Sequence, residues 1–72
     1  MELDKQLESQ ALQEALGRYP QFASAGTTLV ARPVYNGVTF MVDFADANAR
    51  TDPDAWEFQN AVVKGYKRLA GL

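Results

Sequence analysis

Asn36-Gly37 stands between two runs in which apolar residues recur at every second position, Thr27 to Tyr35 and Val38 to Phe44. Asn-Gly supplies the two positive φ values that a type I′ turn requires, and that turn matches the natural twist of two flanking strands. The segment therefore predicts a β-hairpin. Pairing across a two-residue loop sets Tyr35 opposite Val38, Pro33 opposite Phe40, Ala31 opposite Val42 and Leu29 opposite Phe44. These side chains are all apolar and share one face of the ribbon. The other face carries Thr28, Val30, Arg32, Val34, Thr39, Met41 and Asp43.

Pro33 resists this register, because it falls on a hydrogen-bonded position and has no N–H to give. A three-residue loop, Tyr35-Asn36-Gly37 with Gly37 as a bulge, turns the proline nitrogen outward. It also sets Arg32 opposite Phe40, among the core pairs. Burying a guanidinium costs more than one missing ladder bond, so the two-residue loop is the expected one.

A helix is expected on each side of the hairpin. Leu3, Leu7, Ala11, Leu12, Ala15 and Leu16 recur at three- and four-residue spacing in a stretch free of Pro, Gly and β-branched residues, which predicts a helix over 3–16. Glu2 and Asp4 suit its positive end, Gly17 its stop, and Glu14 lies four residues before Arg18, a stabilising pair. Asp4 and Glu8 interrupt the apolar stripe. The connector from Arg18 to Gly26 contains Pro20, which stops the helix, and Tyr19 and Phe22, which are expected to fold back as lids on the core. Ala45 to Asp52 reads as a polar loop. Asp52-Pro53-Asp54 then opens a second helix, with Asp52 as N-cap and Pro53 at the first helical position. Its buried stripe is Phe58, Val62, Tyr66 and Leu69, flanked by Trp56, Val63 and Ala70. Glu57, Asn60, Lys64, Lys67 and Arg68 form the opposite side, and Gly71 ends the helix. The fold class is α+β: a single domain over 1–72, helix–β-hairpin–helix (αββα), with both helices on the apolar face of a two-stranded antiparallel sheet.

Composition narrows the chemistry. The chain has 72 residues, no cysteine and no histidine. It therefore lacks disulfides, thiolate metal sites, the usual zinc ligand and the commonest proton shuttle near neutral pH. Nine acidic residues against seven basic ones give a net charge of −2, which opposes broad binding to polyanions. The acidic start, Met1-Glu2-Leu3-Asp4-Lys5, does not read as a secretory signal, and no apolar run is long enough to span a bilayer; a cytoplasmic protein is expected. A core this small gains from a second subunit or a permanent partner.

Four candidate sites follow. Asp46, Asn48, Asp54 and Glu57 fall at offsets 1, 3, 9 and 12 of a calcium loop, yet Thr51 stands where such a loop needs glycine, and helix capping accounts for Asp52 and Asp54. Lys64, Lys67 and Arg68 form a basic stripe without any nucleic-acid reading motif. Asp43 and Asp46 could act as acids or bases only in a pocket that shifts their pKa, and so small a chain has little room for one. The outer face of the hairpin is the strongest candidate, because Val30, Val34 and Met41 are apolar there beside Arg32, and a two-stranded sheet has two unpaired edges. Tyr35 and Trp56 are the aromatic anchors beside it.

The expected function is thus a non-catalytic, small acidic protein–protein interaction module of inhibitor or adaptor type. Its contact residues are Val30, Arg32, Val34, Met41, Tyr35 and Trp56. Its partner is another protein or a second copy, with no metal, cofactor, membrane or nucleic acid. Two alternatives stand beside it: nucleic-acid association through the basic stripe, and a virion or assembly accessory role. The second follows from layout alone, which is similar to that of compact phage accessory and head-assembly proteins.

Overall fold

The computed structural model describes residues 3–34 and 37–72; for 33–34 and 37–38 it describes the backbone. The order is α1 (Lys5–Arg18), a 3₁₀ turn (Pro20–Phe22), β1 (Thr27–Val34), β2 (Gly37–Phe44), a short α2 (Ala47–Arg50) and α3 (Ala55–Ala70). This is the αββα, α+β arrangement that the sequence predicts, with one two-stranded antiparallel sheet and the helices on its apolar face.

Local chemistry explains the element ends, with several shifts from expectation. Asp4 caps α1, its carboxylate accepting from the N–H groups of Gln6 at 2.9 Å and Leu7 at 3.2 Å. Gly17 does not stop the helix, which runs to Arg18 and ends at Tyr19, one residue before the proline. Glu2 lies outside the described residues. The expected polar loop after β2 contains α2, whose start is capped by Asp46 through the N–H of Asn48 at 2.9 Å. The last long helix begins at Ala55, after a turn in which Asp52 accepts from the N–H of Asp54 at 2.8 Å. Gly71, with φ 75°, closes α3 in the left-handed region, as expected.

The two long helices are antiparallel. Tyr19, at the end of α1, meets Phe58 near the start of α3, while Glu14 reaches Arg68 towards its end. Glu14 therefore pairs with Arg68 on the other helix, 2.6 Å away, where the sequence suggests Arg18. The contact line also differs in kind. Ala11 and Ala15 are the buried residues of α1, with Leu3, Leu7, Leu12 and Leu16 packed around them. Gly65 of α3 lies against this line, where an added Cβ would meet that of Ala11 at 3.7 Å, an ordinary contact. Small residues let the helix backbones approach, and the leucines fill the flanks.

The core is aromatic at one end. Phe22, Phe44 and Phe58 stack with centroids 4.6–5.8 Å apart, and Phe40 meets Tyr66 at 5.3 Å. Phe22, Phe58 and Val62 are completely enclosed. Phe22 and Tyr19 thus act as the expected lids, Phe22 the deeper of the two.

The hairpin register corrects the sequence reading while keeping its faces. Val34 pairs with Gly37, Ala31 with Phe40, Leu29 with Val42 and Thr27 with Phe44. This is a shift of two residues from the expected pairing, so Gly37 is a strand residue, and the expected turn at Asn36-Gly37 falls partly on 35–36, outside the described residues. The three-residue loop, with Arg32 opposite Phe40, is likewise not adopted: Arg32 faces Thr39. Proline gives the reason. Val34 and Gly37 are paired with only two residues between them, and the closing pair of a two-residue hairpin is a hydrogen-bonded one. Alternation then puts 28↔43, 30↔41, 32↔39 and 34↔37 on hydrogen-bonded positions and Pro33↔Val38 on a non-bonded one. Pro33 loses no ladder bond there. A two-residue slip moves no side chain to the opposite face, so Leu29, Phe40, Val42 and Phe44 remain buried.

Candidate functional site

The outer face of the ribbon is uncovered. Thr28, Arg32, Thr39 and Asp43 are exposed, while Val30 and Met41 are half-buried neighbours across the two strands. Of the remaining contact residues proposed from sequence, Tyr35 and the side chain of Val34 lie outside the described residues. Trp56 sits elsewhere, on the first turn of α3, and is 69% exposed.

A groove brings Met41 and Trp56 together. It has a volume of about 360 Å³ and is lined by the last half of β2, by Arg50, and by the start of α3. Met41 and Asp43 form one wall, and Pro53, Ala55, Trp56 and Gln59 the other. Residues of β1 take no part in its lining, so the groove runs along the side of β2 that faces away from its partner strand. This is the feature that the sequence does not reveal. Trp56 was legible as an anchor and Met41 as an outer-face residue, but not their convergence, which depends on α2 steering the chain back across the end of β2.

Backbone polarity distinguishes the two edges. On β2, residues 38, 40, 42 and 44 turn their N–H and C=O groups away from β1, by the alternation set at the closing pair Val34↔Gly37. The carbonyl of Phe44 is already satisfied: Arg50 donates to it from Nε at 2.9 Å and Nη2 at 2.6 Å. The same guanidinium lies 3.9 Å from Asp43, a loose pair between exposed groups. Phe40 and Val42 keep their outward backbone groups. On β1 the outward positions are 27, 29, 31 and 33, and Pro33 has no N–H to offer. Proline on an outward edge position is a device that discourages strand addition.

The other candidates look different once placed. Of the acids in the calcium-like spacing, Asp46 caps the N–H of Asn48, Asp54 accepts from the Gln21 amide at 3.0 Å in place of the expected capping bond, and Glu57 accepts from Tyr19. Among the described residues, no cluster of three or more acidic side chains is arranged to hold a metal ion. The basic stripe is partly engaged, since Arg68 forms its two bonds to Glu14 at 2.8 and 2.6 Å and Lys67 lies over the Phe40 ring at 5.9 Å. Tyr19 donates its hydroxyl proton to Glu57 at 3.2 Å. Desolvation of the ring, followed by this bond and the Glu57 charge, raises its pKa above the usual tyrosine value. No described helix is long and apolar enough to cross a membrane. No known protein family, no characterised protein and no solved structure matches this chain.

Proposed function

We propose that this protein is a non-catalytic interaction module, an adaptor or inhibitor acting in the cytoplasm, which binds another protein chain through the outer face of its hairpin and the adjoining edge of β2. One observation carries this reading. Trp56, with most of its surface in water, stands over a groove whose opposite wall is Met41 and the unpaired edge of a strand. Tryptophan is among the residues that contribute most to binding when buried at the centre of an interface. A strand edge adds main-chain hydrogen bonds, and a flanking groove gives side-chain selectivity. The inner face cannot serve, because the helices already cover it.

The test is the double substitution Val30→Glu with Met41→Glu. Both side chains are half-buried on the uncovered face, so the variant is expected to keep its far-UV circular dichroism and lose association. Association is read as mass in solution and as proteins retained by the immobilised chain. Equal retention by wild type and variant, or none by either together with a single-copy mass, contradicts the proposal.

A further inference from the structure

We infer that the occupant of the β2 edge is a second copy of this chain, joined β2 to β2 in antiparallel fashion about a two-fold axis at Met41, to give a continuous four-stranded sheet. The inference rests on the interaction reading above and specifies its partner. Three observations carry it.

The first is the asymmetry of the edges. β1 has proline at an outward position, whereas β2, Gly-Val-Thr-Phe-Met-Val-Asp-Phe, contains neither proline nor lysine, the residues that usually protect an exposed strand. The second is the extent of the free edge. Arg50 occupies the Phe44 carbonyl, which leaves the outward groups of Phe40 and Val42 as the central available pair. An antiparallel register centred on Met41 pairs Phe40 with the Val42 of the second copy and Val42 with its Phe40, and needs nothing from Phe44. A register centred on Val42 would set Phe40 against the sealed Phe44 carbonyl.

The third is complementarity across the outer face. Val30 and Met41 are cross-strand neighbours, so the two-fold at Met41 extends them into one apolar row, Val30–Met41–Met41–Val30. The next row reads Arg32–Thr39 in one copy, then Asp43–Thr28 in the other, with its symmetry mate on the far side. Arg32 and the second copy's Asp43 then stand about 10 Å apart at their Cα atoms, two strand spacings, within reach of both side chains. Arg32 is exposed, and among the described residues it forms no ion pair. Each copy supplies one member of each pair, the self-complementarity that a two-fold contact demands.

The test uses the natural absence of cysteine. Met41→Cys places two thiols on a non-hydrogen-bonded cross-strand pair, where Cβ atoms lie close enough for a disulfide. Wild-type chain is expected to sediment as two copies, and M41C to oxidise to a covalent dimer on the order of ten times faster than Ser9→Cys, a control on the exposed side of α1. A second pair of variants guards against a folding defect. Arg32→Asp and Asp43→Lys are each expected to weaken self-association several-fold, and the two together to restore it. Wild type that stays a single copy at all concentrations overturns self-pairing; the broader reading is then decided by whether V30E/M41E changes what the immobilised chain retains. A dimer that cross-links through S9C as fast as through M41C overturns the β2-to-β2 pairing, and the broader reading is again decided by V30E/M41E.

Discussion

The backbone N–H of Asp4 donates to the Tyr66 hydroxyl at 2.8 Å, joining residues 62 apart in the chain. The bond fixes the start of α1 to the last turns of α3, and the same tyrosine ring packs on Phe40. Tyr66→Phe keeps the ring and removes the acceptor. Its expected cost is about 1 kcal/mol, the usual net value of a partly buried hydrogen bond, measured by urea unfolding. Amide exchange in the first turn of α1 should quicken with it, while exchange around Val62 follows only the global loss.

Gly65 and Gly26 respond to alanine with opposite signs. Gly65 is helical, and a Cβ there would meet Ala11 and Glu14 at 3.5–3.8 Å, ordinary contact. Gly65→Ala is therefore expected to stabilise the fold by about 0.5–1 kcal/mol through helix propensity. Gly26 has φ 61°, and its added Cβ would lie 2.9 Å from that of Ala45. Gly26→Ala is expected to destabilise by on the order of 2 kcal/mol, from the left-handed backbone and the clash together. Thermal unfolding of both variants checks the pair of signs.

Glu14 and Arg68 form an ion pair between side chains more than half exposed. Exposed pairs contribute little, so a double-mutant cycle with Glu14→Gln and Arg68→Gln should give a coupling of about 0.5 kcal/mol, shrinking as salt is added. The same cycle between Glu14 and Arg18 should give a coupling near zero. A larger Arg18 value would mean that the intrahelical pair read from the sequence forms in solution.

Tyr19 makes stability depend on alkaline pH. Its folded-state pKa is raised by desolvation and by the bond to Glu57, so the neutral phenol is the form that folding favours. The stabilising contribution is fully present below the unfolded-state value of about 10 and is lost as pH rises through the higher folded-state value. The stability difference between wild type and Tyr19→Phe should be constant below pH 10. Above it, wild type should lose ground to the variant, because a phenolate beside the Glu57 carboxylate is repelled.

Much of this fold could be read from the chain, and the exceptions share a cause. Strand faces were legible because alternation survives a two-residue slip; the register was not, because Asn36-Gly37 signals a turn more strongly than Pro33 signals its need for a non-bonded position. The stripe Phe58, Val62, Tyr66 was legible from its spacing. The burial of Ala11 and Ala15 in preference to the neighbouring leucines was not, since it depends on how α1 packs against α3, far along the chain. For the candidate site, Val30, Met41 and Trp56 were named from their types and periodicity. The groove between Met41 and Trp56 comes from α2, four residues that look like loop. The closure of the Phe44 carbonyl by Arg50 is a further tertiary contact without any local pattern.

The most direct measurement is amide hydrogen exchange by NMR at high and low protein concentration. Phe40 and Val42 on β2, and Leu29 and Ala31 on β1, all direct their N–H groups away from the partner strand. If β2 pairs with the β2 of a second copy, Phe40 and Val42 become protected as concentration rises and lose that protection on dilution, while Leu29 and Ala31 respond to neither change. Concentration-dependent protection of Leu29 and Ala31 instead, or none on either strand, would contradict that pairing.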